Sequence, residues 1–204
     1  TRLRNRIELL TLQGAPAPEL VEQVTDEADR LLDVFNALLR IAQLEQGSYR
    51  RAFASFDLRT TVSDAVELYE PSIVAKQIDL VVDLPETGMS FLGDRDLWLQ
   101  ALSNVLDNAM KYTPAGGTIR VSLRQSPTAW TLVIADTGPG IPTEAREHVL
   151  QRFYRLEAHR GTEGSGLGLS LVAAVCALHK AQLELGGDAG LIVTIRWYQE
   201  ASTH

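Results

Sequence analysis

The chain has 204 residues, 45% of them hydrophobic, enough for one medium domain and a smaller appendage built around a real core. Its formal charge of −7 argues against a general nucleic-acid binder, which needs a basic face, so any polyanion site has to be local. A lone cysteine, Cys176, excludes an internal disulfide framework; there is no metal-type cysteine cluster or secretory signal, and no apolar run nears the roughly 20 residues that cross a bilayer. Cytosolic folding is the simplest expectation. The chain begins at Thr1 without a methionine and in mid-pattern of a helix, so it reads as a fragment of a longer protein.

Over residues 1–13, Leu3, Ile7 and Leu10 recur at helical spacing until Gly14, Pro16 and Pro18 stop the helix. In the next helix Val24, Ala28, Leu31, Phe35, Leu38 and Ala42 alternate by four and three, the seam spacing of a helical bundle, and Leu20, Leu32, Leu39 and Ile41 widen the stripe. A hairpin of two such helices has too little surface to bury both stripes internally. Pairing with a second copy is the expected solution; packing on the remaining domain is the alternative.

After Gly47-Ser48 the pattern predicts strands at 51–55, 78–82 and 90–93, and helices at 58–75 and 94–112. Strands at 118–124 and 131–135 flank the turn Ser126-Pro127-Thr128. A short helix is predicted near 143–151, then a polar stretch over 157–165, a helix over about 166–180, and a closing hairpin of 182–185 with 191–197. The order of elements indicates an α+β architecture: a helical hairpin followed by a sandwich whose mixed sheet is covered on one face by helices.

On helix 94–112, Asn104, Asn108 and Lys111 fall at i, i+4 and i+7 and share a face, while Leu102, Val105, Leu106 and Ala109 populate the other sides. A carboxamide oxygen is a hard neutral ligand suited to Mg²⁺, and Lys111 can meet phosphate charge. Without further motifs that face would be an ordinary solvated one. Val133-Ile134-Ala135-Asp136 is an apolar strand ending in a carboxylate, and Thr137-Gly138-Pro139-Gly140 lets the backbone turn close to a flat ligand. An ionised carboxylate only accepts, so Asp136 can pair with the exocyclic amine of adenine and would repel the carbonyl of guanine. Gly164-Ser165-Gly166-Leu167-Gly168 precedes a helix whose free N–H groups can hold an anion. It is neither a Walker loop nor a dinucleotide fingerprint. The polar run from Glu157 to Glu163 has the composition of a lid, with Arg152 and Arg155 at its base; Arg155 could reach a γ-phosphate.

In order, Asn104 to Tyr112, Asp136 to Ile141, Arg152 to Arg155 and Gly164 to Leu169 resemble the N, G1, F and G2 boxes of sensor histidine kinases, whose ATP-binding fold is shared with gyrase B and a major heat-shock chaperone. The lysine-tyrosine pair after the Asn box is similar to the histidine-kinase branch specifically. The resemblance implies Asn108 as principal Mg²⁺ ligand, Asn104 as a polar neighbour of metal and phosphates, Lys111 and Tyr112 at phosphate and nucleotide edge, and Asp136 on adenine. It implies that Gly138, Gly140 and Ile141 shape the base pocket and that Gly164, Gly166 and Gly168 frame the phosphates, with Leu167 and Leu169 packing the lid and the helix start. Asn104, Lys111 and Arg155 would carry the catalytic roles. One departure is Leu150, where the family often has a first phenylalanine, and it bears on lid packing rather than on ATP binding.

The resemblance also divides the chain into a truncated dimerisation and phosphotransfer hairpin at 1–48, a linker at 49–56 and a catalytic ATP-binding domain at 57–200. It implies a homodimer, a cognate response regulator as partner, and a parent anchored in the bacterial inner membrane although these residues look cytoplasmic. The family's acceptor histidine would lie just before Thr1, and none of His148, His159, His179 and His204 follows its box, so the chain alone is expected to bind ATP without phosphorylating itself. A second reading is a non-catalytic ATP-binding dimerisation or scaffold module. A third, an ATPase or serine kinase of the same fold, would need a carboxylate base on the Asn-box helix, where Gln100 and Asn104 stand instead.

Overall fold

Two aspartates set where the long helices begin. The computed structural model describes residues 25, 31–32, 34–44, 53–126, 128–156 and 165–198. Helix α1 runs over Leu58–Ala75, and Oδ1 of its N-cap Asp57 accepts from Arg59 N at 3.0 Å and from Met89 N at 2.8 Å. Burial by itself would raise the pKa of Asp57, but hydrogen bonds from Met89, Thr60 and Arg59 outweigh it and hold the carboxyl below its ordinary value. Helix α2, Arg95–Tyr112, begins in the same way, with Asp94 Oδ1 accepting from Asp96 N and Leu97 N at 3.0 and 3.1 Å. At its other end Lys76 Nζ donates to Met110 O and Lys111 O, satisfying carbonyls that a helix C-terminus leaves open.

Strands β1 (Ala54–Asp57) and β3 (Ser90–Gly93) pair antiparallel as a separate two-stranded ribbon. The main sheet has the order β2-β4-β5-β7-β6, from β2 (Asp79–Asp83), β4 (Thr118–Gln125), β5 (Ala129–Asp136), β6 (Gln182–Gly186) and β7 (Ile192–Tyr198). Only β2 and β4 run parallel; β4–β5 and β6–β7 are antiparallel hairpins, and β5 pairs antiparallel with β7. Alternation decides the faces. Ile119, Val121, Leu123, Leu132 and Ile134 are buried, whereas Arg120 and Arg124 on the opposite face are exposed. The mixed sheet and its helical layer agree with the α/β sandwich expected from the pattern.

Several boundaries differ from the sequence reading; the first strand, expected at 51–55, is Ala54–Asp57, and three other differences have a visible cause. The region 143–151 is not one helix but two 3-10 turns, Thr143–Ala145 and His148–Leu150, each closed by three-residue hydrogen bonds and neither capped by a side chain. Helix α3 is Gly168–Leu178, starting two residues later than predicted because Gly166 has φ +72°, which no helix accommodates. It ends at Leu178 because Lys180 adopts φ +55° and Ala181 N turns back to Cys176 O at 2.8 Å.

The chain divides into two compact units, residues 1–40 and 41–204. The expected first helix lies outside the described residues. In the first unit the described residues of the second helix are helical, and Leu31, Leu32, Phe35 and Leu39 of the predicted seam are exposed.

An aromatic cluster missed in the sequence buttresses the start of α2. The His179 ring stacks on Phe53 with centroids 4.7 Å apart, Phe91 and Trp98 lie tilted against it, and Trp197 packs edge-on against both of those rings. His179 Nδ1 lies 2.8 Å from Val175 O and its Nε2 accepts from Asp94 N at 3.1 Å, an arrangement only the neutral ring with its proton on Nδ1 satisfies. Burial pushes the His179 pKa down, against the opposing pull of the Val175 carbonyl and the Asp94 charge. His179 is thus a packing histidine, and Gly93 is a glycine because a Cβ there would stand 2.6 Å from the ring.

Candidate functional site

The site grows from the C-terminal half of α2, whose buried side is made by Leu102, Val105, Leu106 and Ala109. That packing turns Asn104, Asn108 and Lys111 to a cleft of about 980 Å³ including its open mouth. Tyr112 closes the helix at the same cleft, with Lys111 Nζ 5.5 Å from its ring centroid. Asn104 Nδ2 donates to Gln100 O at 3.1 Å, which leaves its Oδ1 facing the start of α3: a Cβ on Gly168 would stand 3.2 Å from that oxygen.

Strand β5 delivers Asp136 to the floor of the cleft, nearly buried. Its Oδ1 accepts from Gly138 N at 2.8 Å and Leu191 N at 3.3 Å, and neither bond uses Oδ2. Burial pushes this carboxyl above its ordinary range, and the two N–H groups oppose the shift. Gly138 shapes the turn from behind rather than lining the cleft, because a Cβ there would meet Tyr112 O at 2.8 Å and Asp136 Oδ1 at 2.9 Å. Gly140, at φ +71°, and Ile141 form the wall beside it.

Opposite, Arg155 lines the cleft together with Gly166, Gly168 and Leu169. Gly166 O accepts from Phe153 N at 3.0 Å, and a Cβ on Gly166 would come within 3.1 Å of Phe153, Tyr154 and Arg155. Phe153 itself adopts φ +64° with its ring exposed, a strained conformation for a bulky residue. Leu167 is buried at the helix start, where its carbonyl accepts from Ser170 Oγ at 2.9 Å, rather than lining the cleft. Gly164 and residues 157–163 of the expected lid lie outside the described residues.

The cleft therefore brings together Asn104, Asn108, Lys111, Tyr112, Asp136, Gly140, Ile141, Arg155, Gly166, Gly168 and Leu169, all singled out in the sequence. It adds residues that were not. Asp107 sits on the same helix face three residues after Asn104 and was legible by spacing. Leu191 and Val149 were not, since they arrive by sheet pairing and by the 3-10 turn. Among the described residues no three His, Cys, Asp or Glu side chains gather as a metal cage. A divalent cation here would take amide and phosphate oxygens, for which Asn108 and Asn104 are suitable donors.

Residues 93–201 match the family of histidine kinase-, DNA gyrase B- and HSP90-like ATPases. The sensor-like histidine kinase SenX3 of Mycolicibacterium smegmatis is 30% identical over 203 residues, a match covering 95% of this chain and 53% of that protein. This chain thus spans about half the length of that relative. The solved mycobacterial sensor histidine kinase MprB is 31% identical with a TM-score of 0.64, covering 72% of this chain and 97% of that one. A full-length ShkA structure in complex with AMPPNP is 26% identical with a TM-score of 0.75, over 90% of this chain and 40% of that one. These relatives favour the kinase reading over the scaffold reading. The chain belongs to the histidine kinase-, DNA gyrase B- and HSP90-like ATPase family, a membership that implies ATP use, and is homologous to two-component sensor histidine kinases.

Proposed function

We propose that the chain is the kinase core of a two-component sensor histidine kinase: it binds ATP with Mg²⁺ and presents the γ-phosphoryl group to a histidine, for relay to a response-regulator aspartate. The observation that carries this reading is Asp136, buried at the floor of the cleft with one oxygen held by two backbone N–H groups, facing the amides and amine of α2. Asp136 accepts the adenine amine. Ile141 and Leu191 flank the base, Gly140 lets the backbone approach it, and Gly138 shapes the turn behind.

Asn108, with Asn104 beside it, holds Mg²⁺, which supplies charge neutralisation and orientation of the phosphate oxygens. Lys111 and Arg155 carry positive charge to the phosphates, and Gly166 and Gly168 allow the start of α3 to offer its N–H groups. In the transfer an imidazole nitrogen bonds to the γ-phosphorus as the bond to the β–γ bridging oxygen breaks, giving phosphohistidine and ADP. The protein contributes positioning and charge, since the chemistry needs little else. No carboxylate stands at position 100 or 104 to activate water, which supports slow hydrolysis.

Residues 1–48 act in this reading as the dimerising hairpin. The exposed Leu31, Leu32, Phe35 and Leu39 support a second copy as the cover for that stripe. Residues 49–56 link it to the catalytic domain at 57–200. Among the described residues no helix is long and apolar enough to cross a membrane; a bilayer anchor belongs in this reading to the parent protein. Calorimetric titration of Mg²⁺·ATP tests the site: saturable binding to the chain supports the reading, and its absence sinks it. The transfer step is tested with γ-labelled ATP and an acceptor-histidine hairpin supplied in trans, where acid-labile label on the hairpin is expected.

A further inference from the structure

Three segments meet behind the base end of the cleft, and one side chain joins them. Residues 137–141 and the turn between β6 and β7 approach backbone to backbone: a Cβ on Gly140 would stand 2.6 Å from Gly190 O, and one on Gly190 would stand 1.8 Å from Asp136 O. Asp136 N donates to Leu191 O at 2.9 Å, so the contact is continuous with the sheet. Arg146 lies between the two 3-10 turns and is partly buried. Its Nε donates to Ile141 O at 3.2 Å, and its Nη2 donates to Gly187 O at 2.5 Å.

Each of those carbonyls belongs to a different one of the two segments in contact. Gly140 and Ile141 line the cleft from the first, and Leu191, four residues beyond Gly187, lines it from the second. Carbonyl dipoles facing one another repel unless a donor stands between them, and a guanidinium offers several N–H groups in a rigid planar fork that can meet two acceptors at once. We propose that Arg146 is a positioning residue for the nucleotide base: by tying Ile141 O to Gly187 O it locks residues 137–141 against the β6–β7 turn and so holds in place the backbone beside which adenine binds. This inference rests on the ATP-site reading and deepens it. Arg146 acts through these segments, so its influence falls on the base and not on the phosphates.

Calorimetric titration of ADP and of Mg²⁺·ATP into the chain and into Arg146→Ala and Arg146→Lys tests it, with thermal unfolding of each nucleotide-free protein alongside. Arg146→Ala is expected to weaken both nucleotides by the same factor, about tenfold for loss of two neutral-acceptor hydrogen bonds that order the segments. Arg146→Lys, whose single ammonium reaches one carbonyl well, is expected to recover part of the affinity while its nucleotide-free unfolding midpoint stays at the parent's. If Arg146→Ala fails to fold, the Arg146→Lys comparison decides alone, with a smaller loss equal for ADP and ATP. Unchanged affinities overturn the proposal. So does a loss larger for ATP than for ADP, which would put Arg146 on the terminal phosphate, or a loss in Arg146→Lys that tracks a lowered unfolding midpoint. A parent chain that binds neither nucleotide removes the ATP-site reading and this inference with it; a binding parent with indifferent variants removes the inference only.

Discussion

The two ends of the cleft are built by different means. At the base end, Asp136, Gly138, Gly140, Gly190 and Leu191 are locked by backbone hydrogen bonds and by approaches that leave no room for a Cβ. At the phosphate end, the F and G2 segments meet through a backbone hydrogen bond from Phe153 N to Gly166 O, beside a strained Phe153. In the proposed reading this contrast fits the ligand: a flat neutral ring is recognised by shape and one acceptor, which suits a base end already locked by backbone contacts. The phosphate end would use the charges of Lys111 and Arg155 and metal-suited amides, and such a site gains order when a polyanion occupies it.

The largest effect separating the ends is expected from Asp136→Asn. Its carbonyl oxygen can still accept from Gly138 N and Leu191 N, but its amide would oppose the adenine amine donor to donor, lowering ATP affinity by at least about a hundredfold in calorimetry. The fold should not suffer. A carboxyl whose folded pKa is raised loses stability as pH rises from its unfolded value through the folded one, so ionised Asp136 costs stability at neutral pH. The Asn variant should melt at or above the parent's midpoint. A variant that unfolds instead would show that Asp136 is chiefly structural.

Asn108→Ala should act at the other end alone. ATP affinity in Mg²⁺ is expected to fall by about ten- to a hundredfold while adenosine binding is unaffected, because the amide contributes through the metal-bound phosphates. Equal loss for adenosine would erase the distinction between the two ends. Gly166→Ala is a milder probe of the phosphate end. It forces an alanine to φ +72° against Phe153 and Tyr154, costing about 1–3 kcal/mol or shifting the segment, and a change in ADP and ATP affinity larger than in adenosine affinity is expected.

The smallest effect concerns the buttress of α2. The folded pKa of His179 is depressed, so the folded chain binds fewer protons than the unfolded one and stability is fully present above about pH 6.5, the ordinary imidazole value. It is lost as pH falls from there through the lowered folded value, since a second ring proton would face Asp94 N–H. In His179→Gln the acidic slope of unfolding free energy between about pH 6.5 and 5 should flatten; an unchanged slope would assign it to other groups.

Helix α2 was read almost to the residue, because Asp94 caps it locally and its polar and apolar positions follow one period. The Asn, Asp and Gly positions of the site were likewise legible, since each motif binds through residues close together in the chain. Arg146 was not: an arginine in a polar segment gives no sign that it bridges to a turn 41 residues away. Nor was the His179 pin on Asp94 N, nor Leu191 in the wall, because each contact exists only once strands β5, β6 and β7 have paired.

By itself, then, the sequence determined the order of elements, the fold class and the inventory of groups suited to a nucleotide, all carried by local periodicity, capping and motif spacing. Tertiary structure alone decided which backbones touch. Glycine at 93, 140 and 190 is demanded by a ring, a carbonyl and a strand end that come from distant parts of the chain. The reason is physical: propensity acts over a few residues, whereas close packing of backbone against backbone depends on sheet register, and one shared register joins β5, β6 and β7.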